Sequence, residues 1–271
     1  MGSRTFLIGG GWDATAARAV YEPFLRAATG PRIGCLVLDE GEGDGGGGGG
    51  EEQFGRYDAV LRKVADCSPV PLLVPLGATF DPDRLQGLDG LLVCGGLTPA
   101  YQEAFAGCLG QLPSMLAEFG IPYAGFSAGA VVAARHALVG GWLDDGVPVC
   151  HEDTAEDLEE IDVRAGFGLV PFAVDVHAAQ WGTLPRLIAA VTKHGLRHGV
   201  AIDENTVVEF GADEARARVS GLGRAHSVRP SADGGILVRS YRAGEFIPAV
   251  PATPSSPSSP SAPTAPGILA D

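Results

Sequence analysis

Ile121-Pro122-Tyr123-Ala124-Gly125-Phe126-Ser127-Ala128-Gly129-Ala130-Val131-Val132-Ala133-Ala134 is an apolar strand pattern that runs through G-x-S-x-G into a helical pattern. A strand-to-helix bend of this kind is the setting of a nucleophile elbow, which holds a serine hydroxyl above the end of a sheet. The bend demands small neighbours, because side chains at Gly125 or Gly129 would collide with adjoining backbone. Ser127 is therefore the candidate nucleophile, and the N–H of Ala128, at the head of the helix, a candidate oxyanion donor. A tight structural turn explains an isolated G-x-S-x-G equally well; the flanking strand and helix weigh against that here.

Outward from the elbow, Phe6 to Ile8, Ile33 to Leu38, Pro71 to Leu76 and Leu91 to Cys94 read as strands, with helical patterns over Ala14 to Ala28 and Phe54 to Ala65. Such alternation builds a parallel sheet covered on both faces. From Gly199 the pattern changes to short β-type runs, Val200 to Ile202, Thr206 to Phe210, Ala217 to Leu222 and Ile236 to Tyr241. Turn residues separate them, as expected of antiparallel strands at one sheet edge. The expected fold is a three-layer α/β domain over 1–247, with a mostly parallel sheet and helices on both faces. Six consecutive glycines, 45–50, predict a flexible loop over 41–52, and the Pro/Ser/Ala-rich stretch 248–271 predicts a disordered tail.

The chain has 271 residues, 45% of them hydrophobic, which is ample for a core. Its net charge of -14 repels phosphate backbones and acidic membranes. Nucleic acid and membrane are thus not expected as partners; a small or cationic substrate is. The acids between Asp144 and Asp162 form either a solvated face or a negative rim that attracts such a substrate. The cysteines Cys35, Cys67, Cys94, Cys108 and Cys150 show no C-x-x-C spacing, and no H-E-x-x-H occurs. Buried free thiols are expected, with no metal and no cofactor. The apolar run Phe6 to Ile8 is too short for a signal-peptide core, which predicts a cytoplasmic enzyme.

A nucleophilic serine needs a base. His177 follows the strand-like Phe172 to Val176, and so reaches the sheet edge that carries Ser127. His194 and His198 lie near a helix end, where a cationic residue has an ordinary structural explanation. The third member must be a carboxylate; Asp203 and Glu204 both follow the strand Val200 to Ile202, and spacing does not separate them. Gly95-Gly96 ends another strand and could offer a second oxyanion N–H, for which Gly96 is the candidate.

Together these segments resemble the serine peptidase family of dipeptidase E and cyanophycinase, within the class I glutamine-amidotransferase-like fold. Gly125-Phe126-Ser127-Ala128-Gly129-Ala130 is similar to its G-x-S-A-G-A segment, Gly95-Gly96 to its oxyanion glycines, Asp175-Val176-His177 to its D-x-H segment, and Ile202-Asp203-Glu204-Asn205-Thr206 to its I-D-E-x-T segment. The resemblance runs from about Phe6 to Phe210. It implies that Glu204 completes the triad and gives Thr98, Asp175 and Arg186 substrate-binding roles. The chain departs from cyanophycinase-like sequences at Leu97-Thr98, at Val176 and over Ala178 to Pro185, leaving only Arg186 of the arginines that follow the base. That argues against a β-linked aspartyl-arginine polymer as substrate. The order Ser, His, acid also differs from the Ser, acid, His of ordinary α/β-hydrolases.

The expected activity is that of a serine hydrolase, an exopeptidase or amide hydrolase acting on a small peptide or amino-acid-derived substrate through an acyl-enzyme. The sequence is equally compatible with a homodimer. Two rivals stand beside it. One keeps the fold as an acyl transferase or biosynthetic hydrolase. The other reads Gly9-Gly10-Gly11-Trp12-Asp13-Ala14 as G-x-G-x-x-A, a nucleotide-binding turn. Glutamine amidotransfer is disfavoured, since that chemistry in this fold takes a cysteine where Ser127 stands.

Overall fold

A computed structural model of the chain describes residues 4–39, 41, 49–211 and 215–248. The first half alternates β1 (Arg4–Ile8), α1 (Ala17–Ala27), β2 (Arg32–Asp39), α2 (Gly50–Val64), β3 (Ser68–Pro75), β4 (Gly90–Val93), α3 (Thr98–Phe105), α4 (Leu112–Phe119), β5 (Tyr123–Phe126) and α5 (Ala128–Val132). There follow β6 (His136–Gly140), a small hairpin of β7 (Leu143–Asp144) and β8 (Val147–Pro148), β9 (Asp162–Ala165), β10 (Ala173–Val176), α6 (Leu184–Lys193) and β11 (Gly199–Ile202). The last part is all strand: β12 (Thr206–Gly211), β13 (Arg216–Gly221), β14 (Arg224–Pro230), β15 (Ile236–Arg242) and β16 (Phe246–Pro248).

The α/β class holds, and the strands divide between two main sheets rather than one. The larger runs β16-β13-β12-β1-β5-β4-β2-β3 and the smaller β15-β14-β11-β10-β6-β9. In the larger, β1, β5, β4, β2 and β3 are parallel, whereas β12, β13 and β16 pair antiparallel. In the smaller, β11, β10 and β6 are parallel, flanked by antiparallel β14, β15 and β9. The predicted antiparallel extension therefore serves both sheets: β12 pairs with β1, and β14 then returns to β11.

Strand pleating assigns the side chains to layers. On β1, Phe6 and Ile8 face α1 and α2, and Leu7 faces the other side; on β2, Cys35 and Val37 face those helices, and Leu36 and Leu38 do not. Helix α1 answers with Ala17, Val20, Tyr21 and Phe24, one stripe at helical spacing. Helices α3, α4 and α5 fill the core on the opposite face, and α6 covers the far side of the smaller sheet through Leu187, Ala190 and Val191.

Local chemistry shifts three boundaries. Helix α1 starts three residues later than Ala14, because the Asp13 carboxylate captures the N–H of Thr15 at 2.8 Å. Helix α2 starts at Gly50, inside the expected loop 41–52, where Asp39 Oδ1 accepts the Gly50 N–H at 2.9 Å. Pro248, the expected first residue of the tail, belongs to β16. The rest of those two expectations, 42–48 and 249–271, lies outside the described residues. Among the described residues no helix is long and apolar enough to cross a membrane.

Candidate active site

Ser127 sits between β5 and α5 with φ 52° and ψ −113°, a left-handed backbone that costs about 1–3 kcal/mol in a non-glycine residue. Packing enforces it. A Cβ on Gly125 would lie 2.2 Å from the Gly129 carbonyl oxygen, and one on Gly129 would lie 2.2 Å from that of Val93. The Oγ thus projects beyond the carboxyl end of a parallel strand, the position where open α/β sheets place their ligands.

His177 and Glu204 leave β10 and β11 at the same end. With its proton on Nδ1, His177 donates to Glu204 Oε1 at 2.8 Å, and its bare Nε2 accepts from Ser127 Oγ at 2.8 Å. Burial pushes the imidazole below its ordinary value, against the upward pull of Glu204. Three successive carbonyls after β1 set the spacing: Ile8 O accepts from Ser127 N–H at 2.9 Å, Gly9 O from His177 N–H at 3.0 Å, and Gly10 O from Asn205 N–H at 2.7 Å.

Asp203, the other candidate acid, turns away. Its Oδ1 accepts from the Ala179 N–H and from His226 Nε2, and its Oδ2 from the Arg224 N–H. Burial opposes its ionisation, yet these donors hold its carboxyl below the ordinary range. Of the other histidines, His194 caps α6, and His198 is buried beyond the helix end with its Nε2 2.9 Å from Ser227 Oγ.

The glycine turn after β1 is a mould for these groups. A Cβ on Gly10 would lie 2.1 Å from His177 Cε1, and one on Gly11 would lie 2.7 Å from Glu204 Cβ. Both glycines have positive φ, 100° and 85°. The turn is thus packed against the site's own side chains, and α1 begins only at Ala17 rather than directly after the glycines. That weighs against the nucleotide reading of Gly9 to Ala14.

Gly95-Gly96 lies beside the serine, a Cβ on Gly95 falling 3.3 Å from Ser127 Cβ. Two tyrosines fix the Gly95 peptide: Tyr57 Oη accepts its N–H at 2.9 Å, and Tyr101 Oη donates to its carbonyl at 3.3 Å. The Gly96 N–H has no backbone acceptor among the described residues, and Ala128, as the first helical residue, has none within its helix. Gly96 and Ser127 share a cavity of about 840 Å³ whose aromatic side is Trp12, Tyr57, Phe126 and Trp181. Its opposite wall is the acidic stretch 152–159. Burial raises the Glu156 carboxyl there, although the Thr98 N–H opposes it. Against these acids the described lining offers one guanidinium, Arg56, stacked over Trp12 at 4.2 Å.

Three predicted substrate contacts do not reach this cavity. Thr98 is buried and its N–H donates to Glu156 Oε2 at 2.9 Å. Asp175 and Arg186 form a buried pair, Nη2 to Oδ1 at 2.7 Å and Nε to Oδ2 at 3.0 Å. Arg186 Nη1 also donates to the Thr154 carbonyl at 2.6 Å. These residues therefore support the acidic wall from behind. The position of Arg186 on the buried stripe of α6, with Leu187, Ala190 and Val191, was a sequence-level sign of this. Tyr57, Tyr101 and Trp181 carried no such sign, since their partners in the site are either distant in sequence or read as loop. Among the described residues no cluster of three or more His, Cys, Asp or Glu is placed to hold a metal ion.

No family model matches the chain. It is 31% identical over 150 residues to cyanophycinase from Trichormus variabilis, covering 52% of this chain and 47% of the relative. To cyanophycinase from Synechococcus elongatus it is 29% identical over 234 residues, covering 82% and 67%. In the first match the chain spans about half the relative's length. A solved peptidase from an acI-B1 Actinobacterium superposes with TM-score 0.57 at 17% identity, over 92% of this chain and 97% of that one. A protein given the name peptidase E from Listeria monocytogenes superposes with TM-score 0.51 at 14% identity, over 82% and 99%. The two solved structures speak to the fold alone, and the cyanophycinases are what the chain is similar to in sequence.

Proposed function

We propose that this chain is a serine-type peptidase or amide hydrolase acting on a small peptide or amino-acid-derived substrate that carries a cationic group. The observation that carries the reading is the unbroken hydrogen-bonded line from Ser127 Oγ through His177 to Glu204 Oε1. Ser127 Oγ attacks the substrate carbonyl while its proton passes to His177 Nε2, and Glu204 holds the imidazolium that forms. The N–H groups of Gly96 and Ala128 receive the oxyanion. His177 then protonates the leaving nitrogen as the C–N bond breaks, leaving the acyl group on Ser127. A water that gives its proton to His177 releases it.

The size of the cavity suits a small ligand, whose sites commonly hold about 300–1,000 Å³. The charge of its far wall favours a substrate with an amine or guanidinium. A fluorophosphonate probe tests nucleophilicity without a known substrate: peptide mapping should place the label on Ser127, and labelling elsewhere, or nowhere, overturns the reading. On any substrate then found among short cationic peptides and amides, Ser127→Ala should lose about a million-fold in rate with an unchanged melting temperature.

A further inference from the structure

His177 has a neighbour that the chemistry above does not use. The turn from His177 to Trp181, closed by the Trp181 N–H donating to the His177 carbonyl at 2.8 Å, folds the indole back over the imidazole. The rings lie 3.7 Å apart and 7° from parallel. Gly10 packs against the Cε1 corner of the same imidazole. Trp181 is 44% exposed and His177 only 6%, so the indole meets the water that would otherwise reach the base. Leaving a large apolar ring half in solvent forgoes burial that would favour folding, which makes a purely structural reason for it weak.

We propose that Trp181 is a positioning residue for His177: the stacked indole keeps water from the imidazole face and fixes the ring plane in which Nε2 meets Ser127 and Nδ1 meets Glu204. Its catalytic consequence rests on His177 acting as the base; the stack itself does not. The charged groups facing the imidazole are Glu204 from the loop after β11, Asp175 from β10 and Arg186 from α6. Burial is the largest influence and favours the neutral ring, while both carboxylates favour the charged one. Removing the indole relieves burial and leaves the carboxylates in place, so the imidazole then takes up its proton at higher pH. The attraction of an indole for an imidazolium acts in the opposite sense, so a titration that falls in Trp181→Ala overturns the water-excluding role.

The test uses the full chain as wild type, Trp181→Phe and Trp181→Ala. His177 is titrated by NMR at its Cε1 proton, and Ser127 is labelled with a fluorophosphonate across the same pH range. Trp181→Ala should raise the His177 titration by about half a pH unit or more and slow labelling about tenfold. Trp181→Phe, which keeps a flat ring over the imidazole, should recover most of both. If alanine lowers the melting temperature, Trp181→Leu gives the same comparison with the apolar cover partly kept. An unchanged titration in Trp181→Ala overturns the proposal, whether labelling falls or not, because a slower rate alone marks a merely structural role. A shifted titration in a protein that never labels at Ser127 leaves the stack's role standing and removes the hydrolase reading instead.

Discussion

One wall of the cavity is fixed by backbone and the other by side chains. Ser127, His177 and the residue after Glu204 hang from the carbonyls of Ile8, Gly9 and Gly10, and Gly10, Gly11, Gly125 and Gly129 allow close approaches that a Cβ would block. The facing stretch 152–159 has no strand of its own. Arg186 holds it from beneath through the Thr154 carbonyl, and at its rim Lys193 binds Asp144, Asp145 and Glu160. A backbone-built wall tolerates few substitutions, whereas a wall held by ion pairs can change its charge and shape while the opposite one keeps its geometry. On this division the proposed reaction would belong to the first wall and the choice of substrate to the second.

The sharpest way to break the comparison lies between two adjacent acids. Glu204→Gln should keep the shape of the first wall and cost about four orders of magnitude in kcat, because the amide favours the wrong imidazole tautomer. Asp203→Asn should stay within about tenfold in kcat and instead lose about 1–3 kcal/mol of stability, since its contacts are to Ala179, Arg224 and His226. Kinetics paired with melting curves check both, and a reversed ranking would make Asp203 the catalytic acid.

The next largest effect is on the second wall. Arg186→Ala leaves Asp175 as a buried charge without its partner and should destabilise the protein by about 3–5 kcal/mol in urea unfolding. If Arg186 binds substrate directly instead, stability will hold and KM will rise.

The smallest effects concern pH and charge. Because burial depresses His177, the neutral base persists below the ordinary imidazole value of 6.5. The acid limb of kcat/KM should therefore lie below that pH, activity falling as pH drops through the lowered value. Glu159→Gln on the acidic wall should raise KM for a cationic substrate only about two- to fivefold, with the difference shrinking in high salt. No salt dependence at all would detach that wall from substrate recognition.

Much of the first wall was legible because its demands are local. The elbow announces itself through Gly125 and Gly129, and strand ends place His177 and the acid pair at one sheet edge. What spacing could not decide was which acid turns inward, since Asp203 and Glu204 differ only in partners such as His226, which lies on another strand. The second wall is less legible. The resemblance gives Arg186 and Asp175 substrate-binding roles, although neither lines the cavity. The division into two sheets was hidden too, because the alternation of β12 to β15 is the same whichever sheet receives each strand.

The three carbonyls at positions 8 to 10 give the site a shared reference. When β1 shifts in thermal motion, the segments of nucleophile, base and acid shift with it, so displacement common to all three drops out of the distances between them. The hydrogen-bonded line can then stay in register while the sheet around it breathes. The stretch 152–159, held through Arg186 and the Thr98 N–H, has no part in that shared reference.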